Sequence, residues 1–127
     1  MREAPLVLSY AGCGTCKKAL AWLGQHGVAV TVRPIVDEPP TPAELAAWIP
    51  KSKLPVRRWL NTSGQSYRAL GKARIDAMSE EEVVAALARD GKLVRRPVLV
   101  TGNEVLVGFD PERYEALFPA TARAKAR

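Results

Sequence analysis

The alternation of apolar and polar positions changes rhythm several times along this chain, and each change marks an element. Pro5-Leu6-Val7-Leu8-Ser9-Tyr10 is a short, nearly unbroken apolar run, the pattern of a buried strand. Ala11-Gly12 breaks it. From Gly14 to His26 the residues Cys16, Ala19, Leu20 and Leu23 recur at helical spacing, with Lys17 and Lys18 off that face. Gly27 is placed to end this helix as its C′ residue. Val28-Ala29-Val30-Thr31-Val32 is rich in β-branched residues and predicts a second strand. Strand, helix, strand at this spacing is the signature of a parallel crossover unit.

Proline then punctuates the chain at Pro39, Pro40 and Pro42. Thr41, with Pro42 after it and Glu44 three residues on, forms a capping box and predicts a helix through Trp48. Pro50 and Pro55 interrupt the next stretch. Short helices are expected from Arg57 to Leu60 and from Ser66 to Leu70, around the turn Asn61-Thr62-Ser63-Gly64. Ser79 and Glu82 form a second capping box, opening a helix that carries Val83, Val84, Leu87 and Ala88 and ends near Gly91. Pro97-Val98-Leu99-Val100 and Val105-Leu106-Val107 read as two strands joined by a glycine-containing hairpin loop. Asp110 caps a last helix with Pro111 at its first position and Tyr114, Leu117 and Phe118 on its apolar side.

The order is β-α-β, a helical insertion over about residues 41–90, then β-β-α. This predicts an α/β, thioredoxin-like fold: a four-stranded mixed sheet with flanking helices, the insertion lying between its two halves. Residues 1–118 are expected to form one domain, and 119–127 a basic, flexible tail.

Composition narrows the class. The 127 residues suit one core. With 47% apolar and 25% charged residues the balance is that of an ordinary globular chain. No apolar run approaches the roughly 20 residues of a membrane helix. No apolar segment of a secretory signal follows Met1-Arg2-Glu3-Ala4-Pro5, so a cytoplasmic location is expected, without a membrane partner. The net charge of +6 is unevenly placed: Lys51 to Arg74 holds seven bases and no acid. Such a stretch suits an anion or an acidic partner, or is simply a solvated helical face. No recognised nucleic-acid motif accompanies it, so direct nucleic-acid binding is not expected.

The two cysteines, Cys13 and Cys16, sit three positions apart. A disulfide framework needs more cysteines, spread more widely. A structural zinc site takes four Cys or His ligands; Cys13, Cys16 and His26 are too few, so no metal is expected. In a reducing compartment a lone C-x-x-C reads as redox chemistry. Cys13 falls at the helix start, where unpaired N–H groups and the helix dipole stabilise a thiolate. It reads as the nucleophile, against the plainer alternative of an inert thiol. Cys16, one turn on, is either the thiol that resolves a mixed disulfide or a small buried residue. Arg95-Arg96-Pro97, just before a strand, offers a guanidinium fork for an oxyanion or a thiolate, or two surface arginines. Arg57 and Arg58 are further anion candidates, with a helix surface the simpler reading for Arg58. His26, at a helix end, and the tryptophans, in helical contexts, are assigned no chemistry.

Several motifs then occur in one order. Tyr10-Ala11-Gly12-Cys13-Gly14-Thr15-Cys16-Lys17-Lys18-Ala19 resembles the active-site loop of the arsenate reductase/Spx family. Leu60-Asn61-Thr62-Ser63-Gly64 with Tyr67-Arg68-Ala69-Leu70 is similar to its middle motif, and Leu93 to Val100 with Val105 to Phe109 to its C-terminal signature. The turn Asn61 to Gly64 resembles the uncharacterised arsenate reductase-like branch more than Spx. The resemblance implies a Cys13 nucleophile and an Arg96 that precedes a cis-Pro97 beside it. It also implies a substrate site formed by Arg57, Arg96, Pro97, Gly12, Gly14 and Thr15. At the position of the family's third oxyanion arginine this chain has Gly108.

The resemblance implies two functions. One is a thiol-dependent reductase in which Cys13 attacks an oxyanion or a disulfide, Arg96 stabilises charge, and Cys16 or glutathione resolves the adduct. It binds no cofactor, and its partners are a small oxyanion, glutathione or glutaredoxin. The other is an Spx-like redox-sensing regulator that binds the RNA polymerase alpha subunit.

Overall fold

The computed structural model describes residues 4–119. Strands β1 (Leu6–Ser9), β2 (Thr31–Pro34), β3 (Val98–Val100) and β4 (Val105–Val107) form one sheet in the order β2-β1-β3-β4. β1 pairs parallel to β2 and antiparallel to β3, and β4 is antiparallel to β3. Helix α1 (Gly14–Gln25) makes the crossover from β1 to β2, and α6 (Pro111–Leu117) follows β4. Between β2 and β3 lie α2 (Pro42–Ser52), α3 (Gln65–Leu70), α4 (Lys72–Asp76) and α5 (Glu80–Arg89), with 3-10 turns at Val56–Trp59 and Gly91–Leu93. This is the expected mixed sheet with flanking helices and a helical insertion.

Neighbouring strand residues point to opposite faces of a sheet, and this alternation builds the core on both. Val7 and Leu99 face Ala19 and Leu23 of α1 and Tyr114 of α6. Leu8 and Val98 face the insertion, among Leu45, Trp48, Trp59, Val83 and Leu87. The central strands are therefore apolar on both sides, as their unbroken runs require. Both predicted capping boxes form, Thr41 with Glu44 and Ser79 with Glu82, and Asp110 caps α6 through Glu112.

The structure corrects several boundaries. β2 begins at Thr31 rather than Val28, because the Val28 N–H bonds back to Leu23 O at 2.9 Å and closes α1. Helix α2 continues past Trp48 to Ser52 with Pro50 inside it. Pro50 falls in the last turn, where it gives up the N–H bond to the Ala46 carbonyl, and Lys53 ends the helix in the left-handed region at φ 60. Helix α4 has no counterpart among the expected elements. It follows Gly71, whose φ of 89 reverses the chain, and it buries Ile75. Helix α5 stops at Arg89, and Gly91 belongs to a separate turn. Of the predicted tail, residues 120–127 lie outside the described residues. Among the described residues no helix is long and apolar enough to cross a membrane.

Candidate active site

After β1 the chain turns sharply, with Cys13 N–H donating to Tyr10 O at 3.0 Å. Cys13 is thereby placed as the N-cap of α1 in an extended conformation. Its sulfur takes the place of the usual capping oxygen: Sγ accepts the backbone N–H of Cys16 at 3.3 Å. The N–H groups of Gly14 and Thr15, in the first turn, have no acceptor within the helix and add to the positive field at the sulfur.

The two thiols are driven apart. Burial raises the Cys13 thiol, but the Cys16 side chain and backbone N–H, together with the Arg96 guanidinium, more than offset it and hold Cys13 below its ordinary value. Cys16 is fully buried. Burial and then the neighbouring Cys13 push it up to about 11, against smaller opposing contributions from Tyr10 and Ser9. The surroundings thus favour the thiolate at Cys13 and the protonated thiol at Cys16.

Arg96 is held by two neighbours. Its guanidinium carbon lies 5.0 Å from the centroid of the Tyr10 ring. Its Nη1 donates to Lys92 O at 3.2 Å. Lys92 Nζ lies 5.8 Å from the same ring centroid. The Nε of Arg96 is buried without a hydrogen-bond partner among the described residues, an N–H free for an anion or a thiolate. The Arg96-Pro97 peptide bond is cis.

The predicted residues Cys13, Cys16 and Arg96 thus come together, with Pro97 next to Arg96. Gly12, Gly14 and Thr15 flank Cys13 and are exposed. A side chain at Gly12 would come within 2.9 Å of the Tyr10 ring, whereas Gly14 faces open space. Arg57 is committed elsewhere: it donates to Ile75 O at 2.9 Å and to Met78 O, tying its turn to α4 and to the α4–α5 link. Arg96, rather than the exposed Lys17 and Lys18, is the cation acting on Cys13. Arg58 and Arg95 line a different cavity. His26 stacks on Trp22, ring centroids 3.8 Å apart, at the end of α1.

Sequence reasoning missed Tyr10, Lys92 and Ser9 as parts of this site. Tyr10 had one signal, its place at the mouth of the C-x-x-C loop; Lys92 had none, since the turn at Gly91–Leu93 arrives from far along the chain. Among the described residues no three His, Cys, Asp or Glu side chains gather where they could hold a metal ion.

Residues 8–117 match the ArsC family. The chain is 42% identical over 107 residues to the uncharacterized protein YusI of Bacillus subtilis, covering 84% of this chain and 91% of YusI. It is 31% identical over 111 residues to the regulatory protein MgsR of the same organism, covering 87% of each. A crystal structure from Bacteroides fragilis, described as ArsC family related, superposes with a TM-score of 0.85 at 49% identity, covering 91% of this chain and 99% of that one.

Proposed function

The chain belongs to the ArsC family, and from that premise we propose that it is a cytoplasmic, thiol-dependent oxidoreductase whose nucleophile is the Cys13 thiolate. The observation that carries this reading is the contrast between two cysteines one turn apart: Cys13 accepting a backbone N–H and lowered by the nearby Arg96 guanidinium, Cys16 buried and protonated. That is the division of labour a dithiol reductase needs.

With a disulfide substrate, the Cys13 thiolate attacks one sulfur and forms a mixed disulfide. The substrate S–S bond breaks, and the other sulfur leaves as a thiolate that takes up a proton. Cys16 then loses its proton, attacks Cys13 Sγ and expels the second substrate thiol. The pair ends as a Cys13–Cys16 disulfide, two electrons having passed to the substrate, and glutathione or another thiol restores it. With an oxyanion, the Cys13 sulfur bonds to the central atom and an oxygen leaves as water. A second thiol then attacks the Cys13 sulfur, and the released centre carries the two electrons. Arg96 stabilises the negative charge in either case, through contacts that strengthen as charge develops. Gly108 supplies no cation where a third arginine would hold an oxyanion, which favours a disulfide over arsenate.

The test is turnover. Purified protein is assayed with a small aliphatic disulfide and with arsenate, each with glutathione, with and without glutaredoxin. Wild type is expected to reduce the disulfide and Cys13→Ser to be inactive. Absence of turnover on both substrates overturns the reading. The similarity to MgsR favours one second reading, in which the same dithiol is a switch controlling contact with the RNA polymerase alpha subunit. That reading expects a complex whose affinity changes on oxidation, with no turnover.

A further inference from the structure

We propose that the cavity bounded by Arg58, Arg95 and Arg113 is a second anion site, built for a phosphate group, inorganic or esterified. The cavity measures about 230 Å³, and neither Tyr10, Cys13 nor Arg96 lines it. Its three arginines come from separate parts of the chain: the turn at Val56–Trp59, the segment before β3, and α6. Two backbone bonds hold the walls, Arg95 N–H to Trp59 O and Gly108 N–H to Pro97 O, both 2.8 Å.

Three observations point to a ligand. First, the Arg95 guanidinium lies against Gly108. A Cβ there would sit 3.3 Å from Nη2 and 3.4 Å from Nε, on a backbone whose φ of 81 already disfavours a side chain. Second, none of the three guanidinium groups makes an ion pair or a hydrogen bond with any described residue. Third, Asp110 is the one carboxylate among the lining residues, and its Oδ1 accepts the N–H of Glu112 at 3.0 Å. Three like charges around one concavity repel each other and are poorly balanced by a single carboxylate. A multiply charged anion relieves that repulsion, and planar guanidinium forks match phosphate oxygens.

The lining also has an apolar part, Leu106 and Val107. An adjoining cavity of about 310 Å³ shares Leu54, Leu106 and Arg113 with the first. There is therefore room for the organic part of a phosphate ester beside the charged pocket.

The experiment is a titration of the full chain followed by two-dimensional amide NMR, at constant ionic strength, with inorganic phosphate, pyrophosphate and ribose 5-phosphate as separate probes. Saturable shifts are expected at Gly108, Phe109 and Asp110. Arg58→Gln with Arg113→Gln should weaken binding by about tenfold or more. Arg95→Lys, which keeps the charge and loses the fork, should weaken it less, and Cys13→Ser should leave it unchanged. Tighter binding of ribose 5-phosphate than of phosphate identifies an ester as the ligand; the reverse identifies the inorganic ion. The proposal is overturned if no probe shifts those amides saturably, if the shifts centre on residues 10–16, or if the double variant, folded by the same spectra, binds as well as wild type.

Discussion

The backbone N–H of Cys16 points at the sulfur of Cys13 across 3.3 Å, and it is one of several contacts that make two chemically identical side chains unlike. It gives Cys13 a donor that any helix start can supply. Cys16 itself lies one turn into the helix and is fully buried, which keeps it protonated. Arg96, distant in sequence, completes the contrast beside Cys13, held over Tyr10 and bonded to Lys92 O.

Arg96 is expected to matter to both the charge and the rate. Replacing it by Ala removes a cation that lowers the Cys13 thiol, so that thiol should titrate higher. It also removes the donor to developing negative charge, and kcat/KM on a disulfide should fall by roughly 100-fold. Arg96→Lys should retain part of the activity, since it keeps the charge without the fork. Steady-state kinetics with pH-dependent alkylation of the same variants check both effects.

Glu44 should make stability depend on acidity. Arg33 grips its carboxylate with two bonds of 2.8 Å, and Thr41 N–H adds a third at 2.9 Å. Chiefly through Arg33, and against some desolvation, Glu44 is held below the usual carboxylate range. A carboxylate lowered in the folded state stabilises fully above its unfolded pKa of about 4.3 and loses that contribution as pH falls through the folded value. Glu44→Ala is therefore expected to cost about 1–2 kcal/mol at pH 7. The gap should shrink toward pH 3, as read by urea denaturation at both pH values.

Gly91 is expected to tolerate nothing larger. A Cβ there would lie 2.0 Å from the carbonyl oxygen of Ile35. The Ile35 backbone has no freedom to retreat, since its N–H is bonded to Ser9 O at 2.9 Å. Gly91→Ala should cost about 2–4 kcal/mol or prevent folding. Gly14→Ala, where a Cβ meets open space, should cost less than about 1 kcal/mol. Comparing the two by urea denaturation separates close approach from a general cost of losing glycine.

The parts of this molecule that were legible in its sequence are those fixed locally. Both capping boxes, the C-x-x-C at a helix start and the arginine before Pro97 depend on spacings of a few residues, and the structure bears them out as positions. What was illegible depends on distant partners. Val28 and Val30 look like strand residues, yet they pack with the cluster under α1 and α6 while pairing to β1 begins at Thr31. Arg57 looks like an anion ligand in an acid-free stretch, but it satisfies carbonyls at Ile75 and Met78, which only folding brings near. Tyr10 becomes the platform for Arg96 and Lys92 for the same reason.

The central claim is that Cys13 is a poised thiolate and Cys16 is its protonated partner. The most direct measurement is alkylation with iodoacetamide across pH 5–10, read by mass spectrometry on peptides carrying each cysteine, in wild type and in Cys16→Ala. The prediction is modification confined to Cys13 at pH 7, with a midpoint below the roughly 8.5 of a free thiol. That midpoint should rise in Cys16→Ala, where the side-chain donor is lost. A Cys13 that titrates like a free thiol in both proteins, or a Cys16 that reacts as fast as Cys13, would contradict it.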